Sequence, residues 1–298
     1  MPSKQVVLVT GSSTGFGRLF AETLSRNGHT VFATMRDING RNASNASELR
    51  ELAKKESLPL LILEMDVTDD LSVEQAVRAI IEHSGRIDIA INNAGYGLVG
   101  ITEAVTIEQA QRIMDTNFMG CARVDRAVLP YMRRQRSGLL MHISSGAGRV
   151  VIPSFAFYCA SKFAMEAMAE AYHYELAAQG IESCIVEPGA YKTPVFGNVV
   201  TASDTARTET YGAANNIPGK IHQILTTSAA DPQEVADAVL RIVETPIGQR
   251  QLRYRVSPVD MGIDAINSLC ATIQTSVLES FGLTADTTFA QRSAASTD

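Results

Sequence analysis

The regular alternation of short apolar runs with amphipathic segments most constrains what this chain can fold into. Seven short runs, among them "QVVLVTG", "HTVFATMR" and "IDIAINNAG", are separated by segments in which apolar residues recur every three or four positions. The runs are almost continuously apolar, which is typical of parallel strands buried on both faces. The intervening helices would cover those faces. We therefore predict an α/β fold, a doubly wound parallel sheet of seven strands flanked by helices.

Two segments interrupt this alternation. No repeat or linker divides the 298 residues, so we predict a single domain, 1–298, with its core at about 4–257. Residues 194–229 are polar, are predicted to be irregular, and are too long for a simple connection. Within them, residues 194–224 are predicted to form a lid over a substrate. In the extension 258–298, a stretch after Pro258 is predicted to form an amphipathic helix, and the tail is predicted to be disordered.

Composition excludes several classes of protein. The chain is 45% hydrophobic and has a net charge of −6, without a dense basic patch, so nucleic acid is not expected as a partner. No apolar stretch reaches the ~18 residues of a membrane span, and the N-terminus lacks a secretory signal. The cysteines show no metal-type spacing, so no metal site is expected. These observations predict a cytoplasmic protein with reduced core thiols.

A glycine-rich turn, "TGSSTGFG" from Thr10 to Gly17, lies between the first strand and the first helix. Gly11 permits the tight turn, Gly15 lets the backbone approach a pyrophosphate, and Gly17 lets the helix pack closely. The N-terminus of the helix offers unpaired N–H groups to that phosphate. A glycine trio is a weak signal alone, but this position in an α/β chain predicts a dinucleotide site.

A tyrosine and a lysine are spaced to meet on one helix. Tyr158 and Lys162, in "YCASK", are four residues apart in a run free of proline and glycine up to Gly180. A fixed cation favours the phenolate and lowers the phenol pKa, so Tyr158 could exchange a proton with an alcohol. Ser144 and Ser145 end the preceding strand, and Ser145 could hold the substrate oxygen. A single match of this kind is also consistent with an exposed lysine beside a packed tyrosine.

Two further pieces are ambiguous by themselves. "NNAG", Asn92 to Gly95, ends the fourth strand and could be a simple strand-ending turn. Asn117 lies in a predicted helix where asparagine is unfavourable, so it marks either a functional kink or a solvent-facing position. His142 lies within a strand and is expected to be a core histidine.

Taken together, these motifs resemble the short-chain dehydrogenase/reductase family over residues 4–257. The resemblance implies a Rossmann-like fold and an oxidoreductase that uses a nicotinamide dinucleotide. It selects Ser145, thirteen residues before Tyr158, as the catalytic serine. The catalytic residues implied are Asn117, Ser145, Tyr158 and Lys162. The cofactor-binding residues implied are Gly11, Ser13, Thr14, Gly15, Phe16, Gly17, Arg36, Asp66, Val67, Asn93, Ala94, Gly95, Tyr158, Lys162, Pro188, Gly189 and Thr193. Phe16 departs from the isoleucine usual in the family.

The resemblance also assigns roles. Tyr158 would be the general acid in carbonyl reduction and the base in alcohol oxidation. Lys162 would hold the ribose hydroxyls of the nicotinamide nucleotide and lower the Tyr158 pKa. Asn117 would hold a water that relays protons. The helices that contain Asn117 and Tyr158 usually pair in the family, so a homo-oligomer, dimer or tetramer, is expected. The alternative is a non-catalytic dinucleotide-sensing protein.

The substrate and the cofactor type are less constrained. The apolar ends of the predicted lid favour a fairly apolar carbonyl compound, and "VFATMRD" and "LRYRV" resemble the steroid and retinol dehydrogenases of the family. Where NAD-specific members carry an acid at the end of the second strand, this chain has the uncharged Met35, followed by Arg36. A guanidinium can grip a 2′-phosphate. We therefore predict NADP rather than NAD, although Asp37 could instead contact the ribose.

Overall fold

The computed structural model describes residues 4–191, 199–226 and 229–289, with only the backbone for 222 and 224–226. Its main sheet has seven parallel strands in the order β3-β2-β1-β4-β6-β7-β9. The two remaining strands, β5 and β8, form a separate parallel pair. The strands are β1 Val6–Val9, β2 Thr30–Met35, β3 Leu60–Glu64, β4 Ile89–Asn92, β5 Leu98–Val99, β6 Gly138–Ile143, β7 Ile181–Pro188, β8 Val200–Thr201 and β9 Arg253–Val256. The predicted doubly wound sheet of seven strands in one domain is confirmed.

Helices cover both faces of this sheet. They are α1 Gly15–Arg26, α2 Ala43–Glu56, α3 Asp70–Ser84, α4 Ile107–Met114, α5 Gly120–Gln135, α6 Ala156–Glu175, α7 Thr205–Glu209, α8 Ile217–Thr226, α9 Gln233–Glu244 and α10 Ile263–Ser280. Val7 and Val9 pack in one core with apolar residues of α1, α2 and α9. Leu8 packs in the other core with residues of α3 and α5. Neighbouring strand residues point to opposite faces of the sheet, and helices cover both faces. Consecutive strand residues must therefore all be apolar, which explains the continuous apolar runs.

Local signals set several helix ends. The Asp69 side chain accepts from the N–H groups of Leu71 and Ser72, at 2.9 and 3.3 Å, and so caps α3. Helix α3 ends at Gly85, which adopts a positive φ of 72°. Helix α4 begins with a reciprocal capping box between Thr106 and Gln109. These contacts satisfy backbone groups that the helix itself leaves unpaired.

The segment after β7 is more ordered than the sequence predicts. In its described part, β8, α7 and α8 form, with a 3₁₀ turn at Gly212–Asn216, so the expectation of an irregular segment is wrong there. Pairing of β8 with β5 sets Val200 opposite Leu98 and Thr201 opposite Val99. Residues 192–198, which include Thr193 and the start of the predicted lid, lie outside the described residues.

The C-terminal extension forms the predicted helix, α10. Its Asp264 pairs with Arg255 of β9 at 2.7 Å, and its Asn267 donates to Glu187 of β7 at 2.7 Å. Residues 284–288 form turns and a bend, and the rest of the predicted disordered tail, 290–298, lies outside the described residues. Of the helices in the described ranges, none has the length and apolar character needed to cross a membrane.

Candidate active site

A cleft of about 670 Å³ opens at the carboxyl ends of the strands. It lies where β1 and β4 are neighbours and their connections run in opposite directions, the position at which open α/β sheets bind ligands. The loops after β1, β2, β3 and β4 all contribute to its wall. Sequence motifs far apart in the chain therefore meet in one site.

The glycine turn forms one wall of the cleft and has little room for side chains. Gly11 and Gly15 have positive φ angles of 67° and 59°. A Cβ on Gly17 would lie 2.3 Å from the Gly11 carbonyl oxygen, and one on Gly11 would lie 2.8 Å from the Ala94 Cα. At the start of α1, Thr14 makes no side-chain cap and the first turn has no acidic residue. The unpaired N–H groups there fit the pyrophosphate of a dinucleotide.

The "NNAG" motif holds the glycine turn in place. The Asn93 Nδ2 donates to the carbonyl oxygens of Thr10 and Gly11, at 2.9 and 3.2 Å. The Thr10 hydroxyl accepts from the N–H groups of Asn93 and Ala94, both at 3.0 Å. The motif is therefore more than a strand-ending turn, because it links the ends of β1 and β4.

Asn117 lies where the predicted long helix changes its winding. Residues Asp115–Met119 form one π turn between α4 and α5, and Asn117 is fully buried. Its side chain accepts from the Tyr96 N–H at 3.0 Å, and donates to the Tyr96 carbonyl at 3.0 Å and to the Ser161 hydroxyl at 3.1 Å. Of the two alternatives for Asn117, burial excludes the solvent-facing position, and the π turn agrees with a local irregularity of the helix. The water relay assigned to Asn117 stays a prediction.

Ser145, Tyr158 and Lys162 converge beside the cleft. The Tyr158 phenol lies close enough to the Ser145 hydroxyl for the two to interact, and its ring packs edge-on against Phe155, with centroids 5.9 Å apart. Lys162 is buried, lies with its Nζ 5.9 Å from the centroid of the Tyr158 ring, and donates to the Ile143 carbonyl at 2.8 Å. Tyr158 also packs on the cluster that includes Leu98, a residue of the cleft wall. The arrangement places a phenol, a hydroxyl and an ammonium next to the cleft wall, and none of the three residues lines the cleft itself.

The electrostatics of this group differ from the sequence expectation. Burial raises the pKa of Tyr158, and the hydrogen bond with Ser145 opposes that rise. Burial also lowers the pKa of Lys162. The expected lowering of the Tyr158 pKa is not seen, because desolvation dominates and Lys162 donates to the Ile143 carbonyl. A phenol with a raised pKa stays protonated at neutral pH, as a general acid must.

The remaining predicted site residues fall into three groups. Those that line the cleft are Gly11, Ser13, Thr14, Phe16, Arg36, Asp66, Val67, Asn93, Ala94 and Gly95. Gly15 and Gly17 shape the turn behind this wall. Pro188 ends β7, and Gly189 after it donates to the Val256 carbonyl at 2.9 Å. Phe16 packs against Phe20 and Tyr191. Thr193 lies outside the described residues.

Several residues of the cleft wall escaped the sequence analysis. They are Arg41, Asn42, Asn45, Met65, Tyr96, Leu98, Gln109, Arg112 and Thr116, whereas Val200 of the cleft wall belongs to the predicted lid. Tyr96 and Leu98 directly follow "NNAG", so their proximity to that motif was an available signal. Arg41 lies in a polar loop with no distinguishing local pattern.

Arg36 and Asp37, which follow β2, have different surroundings in the structure. Arg36 lines the cleft, and its Nη1 lies 3.8 Å from Asp66 Oδ2. Asp37 has a left-handed φ of 49°, and its carboxylate accepts from the Arg41 N–H at 2.7 Å. Asp37 is absent from the cleft wall. The carboxylate that could have contacted a ribose is bonded within its own loop.

The family model described as short chain dehydrogenase matches residues 5–204. The 3-ketodihydrosphingosine reductase of Bacteroides thetaiotaomicron is 37% identical, over 80% of this chain and 83% of that protein. The human retinol dehydrogenase 8 is 32% identical, over 86% of this chain and 83% of that protein. The mouse 17-beta-hydroxysteroid dehydrogenase type 1 is 34% identical, over 84% and 72%.

Solved structures agree with these relatives. A short-chain dehydrogenase from Streptomyces avermitilis superimposes with a TM-score of 0.75 at 30% identity, over 92% of this chain and 96% of that one. A serine dehydrogenase solved in complex with NADP+ superimposes with a TM-score of 0.68 at 25% identity, over 84% of this chain and 94% of that one. The fold, the motifs at the cleft and these relatives lead to one conclusion: the chain is an oxidoreductase that belongs to the short-chain dehydrogenase/reductase family, near its steroid and retinol dehydrogenases.

Proposed function

We propose that this protein transfers hydride between NADP(H) and a ketone or secondary alcohol, with Tyr158 as general acid and base. The observation that carries the proposal is the convergence of the Tyr158 and Ser145 hydroxyls, with the buried Lys162 beside them, next to the cleft that the glycine turn borders. The two hydroxyls lie together, so both can contact one substrate oxygen.

Ser145, Tyr158 and Lys162 have different roles at the substrate oxygen. The Ser145 hydroxyl donates a hydrogen bond that orients and polarises the carbonyl. The Tyr158 phenol gives its proton to that oxygen during reduction and takes it back during oxidation. The Lys162 ammonium stabilises the phenolate that remains. The nicotinamide, when bound, supplies or accepts the hydride at the carbonyl carbon.

The surroundings of Tyr158 favour an apolar substrate. Val99, Phe155 and Cys159 form a buried cluster, and Ile152, Val199 and Tyr158 pack on its edge. The named relatives reduce or oxidise a keto-sphingoid base, a retinoid or a steroid. A bulky apolar carbonyl compound fits both observations.

The β2 end of the cleft favours NADP over NAD. Met35 and Arg36 line the wall there, and the carboxylate of Asp37 is engaged within its loop. An uncharged side chain at position 35 does not repel a 2′-phosphate, and the Arg36 guanidinium can bind it through charge-assisted hydrogen bonds.

Steady-state kinetics with a panel of apolar ketones test the activity. Consumption of NADPH with at least one ketone is expected, whereas cofactor binding without any turnover would instead favour a dinucleotide sensor. Replacement of Arg36 by leucine is expected to lower the ratio of kcat/KM for NADPH over NADH about ten- to a hundredfold, since a charge-assisted contact contributes roughly 1.5–3 kcal/mol. A wild-type preference for NADH, or an unchanged ratio in the variant, would contradict the cofactor assignment.

A further inference from the structure

The loop between β2 and α2 contains a second cation that faces the cofactor cleft. Arg41 lines the same cleft as Arg36, together with the side chains of Asn42 and Asn45. Its guanidinium makes no ion pair with any carboxylate in the part of the chain that the structure describes. Arg18, by contrast, pairs with Glu22 and Glu48, at 2.9 and 2.7 Å. Arg41 is therefore free to meet an anionic group in the cleft.

The loop conformation that presents Arg41 depends on Asp37. The Asp37 carboxylate accepts from the backbone N–H of Arg41 at 2.7 Å. The Asp37 carbonyl accepts from the N–H groups of Gly40 and Asn42, at 3.2 and 3.0 Å. Asp37 adopts a φ of 49°, a conformation that aspartate tolerates better than most residues. Three hydrogen bonds to one residue thus fold the chain back between Asp37 and Asn42.

Two neighbours complete this turn. A Cβ on Gly40 would lie 2.4 Å from Asp37 Oδ1, so the carboxylate and a side chain at position 40 cannot share the space. The Asn42 amide donates to the Arg36 carbonyl at 2.6 Å, which ties the far side of the turn to the end of β2. The same few contacts therefore fix the backbone positions of both arginines.

We propose that Arg41 is a second ligand of the adenosine 2′-phosphate and that Asp37 is the positioning residue that presents it. This inference rests on the proposed preference for NADP. A phosphate between two guanidinium groups is bound more tightly than by one, because each forms charge-assisted hydrogen bonds. Asp37, the acid that could instead have contacted the ribose, would here support binding of NADP by presenting Arg41.

Calorimetric titration with 2′,5′-ADP and 5′-AMP tests the role of Arg41. The two probes differ in the 2′-phosphate, so the ratio of their dissociation constants isolates the contribution of that group. Replacement of Arg41 by leucine is expected to reduce the preference for 2′,5′-ADP about tenfold. Arg50→Leu, which removes an exposed arginine of α2 outside the cleft wall, is the charge-matched control and should keep the wild-type preference.

Two substitutions of Asp37 test the positioning role. Asp37→Asn keeps an oxygen that can accept from the Arg41 N–H, whereas Asp37→Ala removes it, and both remove the same charge. The proposal predicts that the alanine variant prefers 2′,5′-ADP several-fold less than the asparagine variant does. If Asp37 instead contacted the ribose, both variants would bind 5′-AMP more weakly and prefer 2′,5′-ADP more than the wild type.

The outcomes separate this inference from the cofactor assignment. A wild-type protein that does not prefer 2′,5′-ADP overturns both. A wild-type preference that falls in Arg36→Leu but not in Arg41→Leu overturns only the role of Arg41. Equal preferences in the two Asp37 variants overturn the positioning role of Asp37.

Discussion

At the scale of single residues, the site depends on a few side chains whose environments set their chemistry. Burial raises the pKa of Tyr158, and its hydrogen bond to Ser145 opposes that effect. Lys162 lies on the same helix face as Tyr158, and its ammonium donates to the Ile143 carbonyl at 2.8 Å. The phenol is thereby kept protonated and oriented before any ligand binds.

Replacement of Tyr158 by phenylalanine should abolish turnover and leave cofactor binding intact. The variant keeps the ring that packs on Phe155 but loses the hydroxyl that transfers the proton. Loss of general acid catalysis typically lowers kcat about 10²–10⁴-fold. Ketone reduction followed by NADPH absorbance gives kcat, and fluorescence titration gives the affinity for NADPH. Near-normal reduction by the purified variant would refute the assigned mechanism.

At the scale of elements, buried charges join α10 to the sheet. Glu187 of β7 exposes no surface, accepts from Asn267 of α10 at 2.7 Å and lies 3.4 Å from Arg253 of β9. Burial, and then the nearby Glu166, raise the pKa of Glu187 to about 7. The contact between α10 and the sheet therefore includes a buried carboxyl group whose pKa is raised.

The pH dependence of unfolding should change when Glu187 becomes glutamine. The folded protein holds the Glu187 proton up to about pH 7, whereas the unfolded chain releases it near 4.5. The contribution of this group to stability is therefore present below about pH 4.5 and is lost as the pH rises towards 7. The melting temperature of Glu187→Gln minus that of wild type should therefore be larger at pH 8 than at pH 5.

Melting temperatures measured from pH 4 to 8 by calorimetry provide this comparison. Glu74→Gln, which neutralises an exposed carboxylate of α3, is the control and should run parallel to wild type. If the Glu187→Gln and wild-type curves are also parallel, the carboxyl does not titrate in this window.

The predicted lid is a second feature at the scale of elements. In its described part, Val200 donates to the Gly97 carbonyl and Ala202 to the Val99 carbonyl, both at 2.9 Å. The Gln109 side chain donates to the Thr201 carbonyl at 2.8 Å. Residues 200–202 of the predicted lid are therefore bonded to the cleft wall, which makes them the anchor for any closure over a substrate.

Cofactor and substrate together should protect residues 194–224 from limited proteolysis. Ordering of the segment over the bound ligands would slow cleavage there, and mass spectrometry locates the sites cut. Gln109→Ala, which removes the anchor to Thr201, should raise the cleavage rate without ligand. Equal cleavage of the wild type with and without both ligands would count against a lid.

At the scale of the whole molecule, α6 leaves an apolar face uncovered. Phe163 is 40% exposed, and the exposed Ala160, Ala167 and Ala171 lie on the same side of this 20-residue helix. Small side chains permit close approach of another helix. This surface is where the family resemblance predicts contact between subunits, and the oligomer itself stays a prediction.

Replacement of Ala167 by arginine should convert the expected oligomer to monomers. A long charged side chain on this face would prevent close packing and bury an unpaired charge. Sedimentation velocity measures the state directly, and Ala265→Arg on the exposed side of α10 is the control. A wild-type monomer would refute the assembly, and an unchanged oligomer in Ala167→Arg would place the interface elsewhere.

Sequence patterns determined the features that depend on neighbouring residues along the chain. The period of the apolar positions gave the class of the sheet, because burial of both strand faces leaves a continuous apolar run. Helical spacing placed Tyr158 beside Lys162, and local propensity singled out Asn117 as either a kink or a solvent-facing position, of which the π turn agrees with the first. These inferences required no knowledge of contacts between distant segments.

Tertiary structure decided the features that depend on distant segments. Asn93 donates to Thr10, 83 positions away, and Asn267 donates to Glu187, 80 positions away. The spacing of apolar residues along the chain cannot predict such contacts. Desolvation raised the Tyr158 pKa, where spacing alone suggested a lowering by Lys162. Arg36 and Asp37 are neighbours in sequence, yet only the tertiary structure distinguishes them: Arg36 lines the cleft, whereas the Asp37 carboxylate accepts from the Arg41 N–H within its own turn.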